Sequence, residues 1–209
     1  MAAVQIDVWS DYVCPFCYLA EPALAQLAAG GDGDVTLGWR AYELRPDPVP
    51  TLDPHGDYLR DVWAESVYPL ARQRRMTLKL PPVQPRSRLA HEAAAHAAAQ
   101  GHGLQMPHAI FRAFFEHGTD IGRIEELTSL AAELGLDPAD MEAALRSGRH
   151  RAQVIEDEAL AQTFGLTGVP AIVIRATGAP WEQAVLVSGA QPYEVLRDAV
   201  AQVRAASLA

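Results

Sequence analysis

Near the N-terminus the chain reads Ser10-Asp11-Tyr12-Val13-Cys14-Pro15-Phe16-Cys17-Tyr18, and this segment contains both of its cysteines. The residues just before it, Gln5–Trp9, form a short run of apolar character that predicts a buried strand. After the first cysteine, apolar residues recur at helical spacing from Pro15 to Ala29, and a glycine pair ends the pattern. The sequence therefore predicts that Cys14 lies where a strand turns into a helix.

Strand and helix patterns further along the chain indicate a mixed α/β protein. Residues 35–42 resemble a second strand and complete a β-α-β unit. A long helical region follows, beginning with a predicted helix over Asp57–Arg75 and ending at a glycine. Residues 170–174 and 181–187 then predict a β-hairpin, and residues 192–204 predict a terminal amphipathic helix.

The length of 209 residues fits one domain, or one domain that carries a large insertion. The order of the predicted elements is β-α-β, a block of helices, and then β-β-α, which favours the second arrangement. We expect an α/β domain built from residues 1–45 and 166–209. Its two halves are separated by an all-helical insertion over residues 46–165.

Composition and charge exclude several classes of protein. Apolar residues make up 49% and charged residues 21% of the chain, which is ordinary for a globular protein and not for a disordered one. The net charge of -9 repels phosphate backbones and anionic membrane surfaces. The sequence also lacks a signal-peptide pattern and any apolar stretch long enough to span a membrane. We expect a cytoplasmic protein with neither a nucleic-acid nor a membrane partner.

The position of the cysteine pair predicts redox chemistry. A cysteine at the first turn of a helix lies near unsatisfied backbone N–H groups and the positive end of the helix dipole, and both favour its thiolate. We therefore predict that Cys14 is the nucleophile. Cys17 follows three residues later on the same helical face, so it is the candidate resolving thiol that would release substrate from a mixed disulfide.

Two other interpretations of the cysteine pair do not involve redox chemistry. The cysteines could be small buried hydrophobes, or they could form half of a zinc site. A zinc site needs two further soft or imidazole ligands, but the sequence has no second Cys-x-x-Cys. None of its seven histidines forms the His-x3–5-His spacing of such sites beside the cysteine pair. We therefore expect no bound metal.

Several segments resemble one known family. The cysteine segment resembles the active-site segment of the FrnE-like branch of DsbA-family thiol-disulfide oxidoreductases, which have a thioredoxin fold interrupted by a helical domain. Further segments similar to that family are Ser87-Arg88-Leu89-Ala90-His91, Phe111-Arg112-Ala113-Phe114-Phe115 with Gly118-Thr119-Asp120-Ile121, Gly168-Val169-Pro170 and Ser188-Gly189-Ala190-Gln191-Pro192. The resemblance extends over nearly the whole chain. It implies a thioredoxin-like α/β fold and thiol-disulfide exchange.

The resemblance also implies roles for individual residues. Pro170 would be a cis-proline facing the cysteines, and Val169 would offer backbone hydrogen bonds to a bound substrate strand. From their positions beside the dithiol, and not from the resemblance, Tyr12 and Phe16 are candidates for an apolar surface that contacts substrate. Asp7 is the candidate for a buried carboxylate that relays the proton of the resolving thiol. An exposed Asp7 at the strand end is an equally good interpretation, because its distance from Cys14 is one residue longer than expected.

The dipeptide between the cysteines bears on the direction of electron flow. Pro15-Phe16 contains no histidine that would stabilise the Cys14 thiolate, so we expect a potential between roughly -270 and -120 mV. Such a dithiol suits disulfide reduction or isomerisation in a reducing compartment. The expected partners are disulfide-containing proteins or small thiols and a thiol reductant, with glutathione as a candidate reductant or co-substrate. We expect no tightly bound cofactor and either a monomer or a homodimer.

Two alternative functions belong to different classes. The first is a glutathione-dependent isomerase or transferase, similar to 2-hydroxychromene-2-carboxylate isomerases and kappa-class glutathione transferases. Those families typically carry serine where Cys14 stands, an Asp-Arg pair where this chain has Ala190-Gln191, and asparagine where it has Arg86. The second is a holdase, in which the helical block presents an exposed apolar face formed by Phe111, Phe114 and Phe115.

Overall fold

The computed structural model describes residues 3–30 and 34–207. Within these residues the protein is built around a four-stranded mixed sheet. The strand order is β2-β1-β3-β4. Strand β1 (Val4–Ser10) pairs in parallel with β2 (Val35–Ala41) and antiparallel with β3 (Ala171–Ala176). Strand β3 pairs antiparallel with β4 (Val185–Ser188). The mixed α/β architecture predicted from the sequence is thus confirmed.

Side chains alternate between the two faces of the central strand β1. Val4, Ile6 and Val8 point to one face, where they pack with residues of α1 (Pro15–Gly30) and α9 (Tyr193–Ala206). Trp9 belongs to the opposite face and packs with residues Ala161, Leu166, Ala171 and Val173. The cysteine-bearing helix α1 therefore covers only one side of the sheet.

The helical region lies between β2 and β3 in the chain, as the sequence predicts. Its helices are α2 (Asp57–Val62), α3 (Tyr68–Arg74), α4 (Arg88–Ala98), α5 (Gln105–Phe115), α6 (Ile124–Glu133), α7 (Pro138–Ser147) and α8 (Arg151–Thr163). None of the helices in residues 3–30 and 34–207 combines the length and the apolarity that crossing a membrane requires.

Two predicted elements differ from the structure. The helix predicted over Asp57–Arg75 is divided, because a π-helical turn at Trp63–Val67 separates α2 from α3. Pro69 lies at the start of α3 and has no N–H to donate to the preceding turn, which interrupts the α-helical bonding there. The strand predicted over residues 181–187 is wrong in its first part, because Trp181–Gln183 form a 3-10 turn.

The 3-10 turn is explained by the packing of its tryptophan. The ring of Trp181 lies 5.0 Å from that of Phe164 and 6.1 Å from that of Trp9, measured between centroids. The guanidinium carbon of Arg175 lies 4.1 Å from the centroid of the Trp181 ring. These contacts hold the side chain against the sheet, and pairing in β4 begins only at Val185.

An aromatic core joins the helical region to the cysteine segment. Phe111, Phe114 and Phe115 on α5 are almost completely buried. The Phe111 ring lies 4.9 Å from the ring of Tyr12 and 5.6 Å from the ring of Tyr18, measured between centroids. The exposed apolar face expected for a holdase is therefore not formed by these three phenylalanines, because they fill the interior.

Removal of the Phe111 ring should destabilise the protein strongly. We expect Phe111→Ala to lower the free energy of unfolding by about 3–5 kcal/mol, because the substitution leaves a cavity between α5 and the cysteine segment. Urea unfolding followed by circular dichroism measures the change. Leu104→Ala is the matched control, since that side chain is 45% exposed and its loss should change stability by at most about 0.5 kcal/mol. Equal effects of the two substitutions would contradict the packing described.

Candidate active site

The two cysteines lie in the turn between β1 and the first turn of α1. Cys14 immediately precedes the helix, and Pro15 is its first residue, where a missing N–H costs no hydrogen bond. The Cys14 N–H donates to the carbonyl of Asp11 at 3.0 Å, and the Cys17 N–H donates to the carbonyl of Cys14 at 3.1 Å. The strand-to-helix turn that the sequence predicts for Cys14 is confirmed.

A second backbone segment faces Cys14 from the start of β3. The peptide bond between Val169 and Pro170 is cis. The Cys14 thiol donates to the Val169 carbonyl oxygen, with 3.7 Å between sulfur and oxygen. The structure thus brings together four of the residues that the sequence singled out: Cys14, Cys17, Val169 and Pro170.

The environments of the two thiols differ. Cys17 is fully buried, whereas Cys14, although only 4% exposed, lines a surface pocket. Burial raises the pKa of Cys17 well above its ordinary value, and the contact with the Cys14 sulfur raises it further. The backbone N–H of Asp11 opposes this shift by bonding to the Cys17 sulfur. Cys17 therefore remains a protonated thiol until a reaction requires its anion.

The pocket at Cys14 is apolar and has a volume of about 160 Å³. It lies between the cysteine turn and the region of α2 and the π-helical turn, and its apolar lining includes Phe16, Leu44, Leu52, Leu59, Val62 and Trp63. Phe16 is half-buried and contributes to this surface. Tyr12 does not, because its ring is buried against Phe111 and His91. The expectation that Tyr12 contributes to the apolar surface for substrate is therefore wrong.

Asp7 is buried but lies away from the dithiol. Its neighbours on β1, Ile6 and Val8, face α1, so alternation points Asp7 to the other side of the sheet. Its carboxylate pairs with Arg40 at 2.8 Å and with Arg175 at 3.6 Å. Both the predicted relay role of Asp7 and its alternative as an exposed residue are contradicted by this position.

The carboxylate next to the dithiol belongs to Asp11, which is completely buried. Its two oxygens accept hydrogen bonds from the backbone N–H groups of Leu44, at 2.7 Å, and Val13, at 3.3 Å. One of these oxygens also lies 3.7 Å from Nε2 of His91 on α4. The negative charge of Asp11 contributes to the raised pKa of Cys17. Sequence reasoning assigned no role to either Asp11 or His91, although both lie in segments that carry the family resemblance.

Further charged groups lie near His91. Glu43 is buried, and Arg88 pairs with both Glu43 and Glu158. Burial raises the pKa of the Glu43 carboxyl to about 7; Arg88 opposes this shift, and the nearby Glu158 adds to it. A carboxyl group with a pKa raised to about 7 therefore lies near His91.

The described part of the chain contains no cluster of three or more histidine, cysteine or acidic side chains that could hold a metal ion. The chemistry available from these residues is that of two thiols in unlike environments with a buried carboxylate beside them. One thiol lines a pocket and the other is buried and protonated, which is the arrangement required for attack followed by resolution.

Comparison with known proteins identifies the family. A model described as a DSBA-like thioredoxin domain matches residues 5–201. The chain belongs to this family. Among relatives of this DsbA-like domain, the Bacillus subtilis (strain 168) protein YwbO is 36% identical over 183 residues, which cover 85% of this chain and 90% of YwbO. Membership assigns the chain to a family of thiol-disulfide oxidoreductases.

Two solved structures share the fold of this DsbA-like domain at lower identity. The cytosolic disulfide reductase DsbM from Pseudomonas aeruginosa with GSH matches with a TM-score of 0.71 and 22% identity, covering 98% of this chain and 100% of DsbM. A 2-hydroxychromene-2-carboxylate isomerase matches with a TM-score of 0.73 and 20% identity, covering 98% and 99% of the two chains. At these identities the matches show the common fold.

The unlike environments of the thiols predict unequal alkylation. Iodoacetamide at neutral pH should modify the native reduced protein once, at Cys14, because Cys17 is fully buried and its raised pKa keeps it protonated. Intact mass and peptide mapping identify the modified residue. Protein unfolded in urea is the control and should take up two adducts. Equal labelling of both cysteines in the native protein would contradict this description of the site.

The raised pKa of Glu43 predicts a pH dependence of stability. Between its ordinary pKa of 4.5 and the folded value of about 7, the folded protein holds a proton that the unfolded chain has lost. The contribution of Glu43 to stability therefore falls as pH rises through this window. We expect the free energy of unfolding of the wild type to include a fall of roughly 1–3 kcal/mol across this window that the Glu43→Gln variant lacks. Urea unfolding at several pH values measures the difference. If the stabilities of the wild type and the variant changed equally with pH, the raised pKa of Glu43 would be wrong.

Proposed function

We propose that this DsbA-like domain is a thiol-disulfide oxidoreductase of the FrnE-like type, and that it reduces or isomerises disulfides through Cys14 and Cys17. The observation that carries the proposal is the pairing of a pocket-lining Cys14, in contact with the Val169 carbonyl, with a buried protonated Cys17 one turn into α1. An incidental pair of buried cysteines would not require one thiol at a pocket and the other beneath it.

The reaction proceeds in two exchanges. The Cys14 thiolate attacks one sulfur of a substrate disulfide, forming a Cys14–substrate mixed disulfide and releasing the other substrate sulfur as a thiolate. Cys17 then loses its proton and attacks the Cys14 sulfur. The Cys14–Cys17 disulfide forms, the second substrate sulfur leaves, and the substrate has gained two electrons. A thiol reductant returns the dithiol to its starting state.

Backbone around the cis peptide bond offers a place for substrate. Val169 is half-buried and Gly168 is exposed, and the pairing of β3 with its neighbours begins only at Ala171. The backbone of Val169 therefore lies outside the strand ladder, where an extended substrate segment can pair with it. The apolar pocket with Phe16 lies next to the same sulfur and suits a bulky apolar group beside the reacting disulfide.

Glutathione is the proposed reductant or co-substrate. The solved DsbM structure, which shares this fold, is described as a cytosolic disulfide reductase with GSH. A reducing cytoplasm suits a dithiol without a histidine between its cysteines, for which we propose a potential between roughly -270 and -120 mV. Disulfide-containing proteins and small thiols are the proposed substrate classes.

A glutathione-dependent isomerase is the second candidate function, because 2-hydroxychromene-2-carboxylate isomerase has the same fold. Such a reaction would use glutathione without a second cysteine. The buried Cys17 directly behind Cys14 favours disulfide exchange over this alternative, since isomerisation gives that thiol no role.

A redox titration with two variants separates these functions. In glutathione or dithiothreitol buffers we expect a reversible two-electron Cys14–Cys17 couple, read by alkylation and mass. Cys14→Ser should abolish reduction of a disulfide substrate, whereas Cys17→Ser should accumulate the mixed disulfide because release is blocked. If no intramolecular disulfide forms, or if Cys17→Ser turns over as the wild type does, dithiol exchange is wrong and the isomerase becomes the better assignment.

A further inference from the structure

The pocket at Cys14 has one charged side chain among its described lining residues, that of Arg45. Arg45 is half-buried and lies in the loop that follows β2. Apolar groups of Phe16, Leu59 and Trp63 form much of the remaining wall. A guanidinium beside an apolar wall is less well hydrated than one on an open surface, so it gains more from an anionic partner.

Arg45 has no acidic partner among the residues that the structure describes. Its guanidinium donates to the Pro50 carbonyl over a long 3.4 Å. It forms no ion pair with any described residue, whereas the nearby Arg86 pairs with Asp47 at 3.1 Å. The chain carries more acidic than basic side chains, so an arginine without a carboxylate is not explained by a shortage of acids. The Arg45 guanidinium therefore retains N–H groups for an anion in the pocket.

The backbone on both sides of Arg45 is held in place. The N–H of Leu44 donates to the buried Asp11 carboxylate at 2.7 Å, which ties the loop to the cysteine segment. The Arg45 carbonyl accepts a hydrogen bond from Nη1 of Arg86 at 3.1 Å, and the same atom donates to the Val49 carbonyl. The loop therefore presents the Arg45 side chain from a fixed position relative to the cysteine turn.

The volume of the pocket limits the size of its occupant. It measures about 160 Å³, and an apolar cavity of about 150 Å³ holds one benzene molecule. One ring-sized apolar group therefore fits beside the Cys14 sulfur. The cation at the same pocket favours a group that also carries a negative charge, and a planar carboxylate matches the paired donors of a guanidinium.

We propose that this pocket selects small disulfides in which one sulfur carries a ring-sized apolar body with a carboxylate. The inference rests on the proposed function, because it names a substrate class for the same dithiol. The body occupies the apolar part of the pocket, and the carboxylate accepts hydrogen bonds from Arg45. The Cys14 thiolate forms a bond to the sulfur that carries the body, while the substrate S–S bond breaks and its electron pair leaves on the other substrate sulfur.

Two aromatic disulfides separate the contribution of the charge from that of the ring. Ellman's reagent carries a ring with a carboxylate on each sulfur, whereas dithiodipyridine carries a neutral ring on each. In a Cys17→Ser background each protein releases one thiol, and that release reports the attack by Cys14. Its rate over a range of reagent concentrations gives an apparent dissociation constant and a limiting rate.

We expect Arg45→Gln to raise the apparent dissociation constant of Ellman's reagent by about tenfold and to change the limiting rate by less than about twofold. The constant of dithiodipyridine should change by less than about twofold. Equal slowing with both reagents would mean that Arg45 acts on the Cys14 sulfur and not on a carboxylate, which overturns the proposal. A rate that never saturates with Ellman's reagent would overturn it as well.

Arg72→Gln is the matched control for general electrostatic attraction. Arg72 lies on α3, is exposed, forms no ion pair with a described residue and does not line the pocket. Its loss should leave the constant of Ellman's reagent within about twofold at about 0.15 M salt. An effect equal to that of Arg45→Gln would show long-range attraction instead of a contact. Circular dichroism verifies that each variant is folded.

Unreactive competitors test the apolar part of the pocket. Nitrobenzoate has the ring and the carboxylate but no sulfur, and acetate has the carboxylate alone. Nitrobenzoate should slow the release from Ellman's reagent, and acetate at the same concentration should not. Equal inhibition by the two anions would show that the ring contributes nothing, which contradicts the proposed substrate class.

The protein with both cysteines separates this proposal from the proposed function. If it releases one nitrothiobenzoate and retains the other, dithiol exchange is wrong, although the effect of Arg45→Gln on the first release still tests the pocket. If it releases two, and Arg45→Gln leaves the dissociation constant unchanged, dithiol exchange stands and the assignment of the pocket is wrong.

Discussion

Phe111 packs its ring against both Tyr12 and Tyr18, the two aromatic residues that flank the cysteine pair. All three side chains are buried, so this contact fixes both ends of the segment that carries the thiols. Phe111 belongs to α5 of the helical insertion, whereas the tyrosines belong to the thioredoxin-like part. The position of the thiols is therefore set jointly by the sheet domain and by the insertion.

The sequence predicted the helices and strands that depend on residues close to them in the chain. The strand before Cys14, the helix after it and the α/β order with a helical insertion all follow from patterns within a few residues. The π-helical turn at Trp63–Val67 has a local cause at Pro69, but it lies inside a continuous helical pattern. The strand start at Trp181 could not be predicted, because that ring is held by residues distant in sequence.

The identity of the carboxylate beside the dithiol shows a second limit of prediction from sequence. Asp7 has the residue type expected of a buried acid, but alternation along β1 places it with Trp9, on the face that α1 does not cover. Asp11 lies past the end of the strand, where the chain turns under the helix. Which of these two carboxylates lies beside the dithiol depends on the pairing of the strands and on the position of α1. His91 is 80 residues further along the chain than Asp11, so their contact is a property of the tertiary fold.

Cys14 lies in a pocket with a largely apolar lining, to which Phe16 of the cysteine segment contributes. Apolar surroundings at Cys14 favour contact with a neutral disulfide. The helical insertion supplies Leu59, Val62 and Trp63 to the same lining. In this protein the helical region therefore forms part of the surface around the reacting sulfur as well as packing against the cysteine segment.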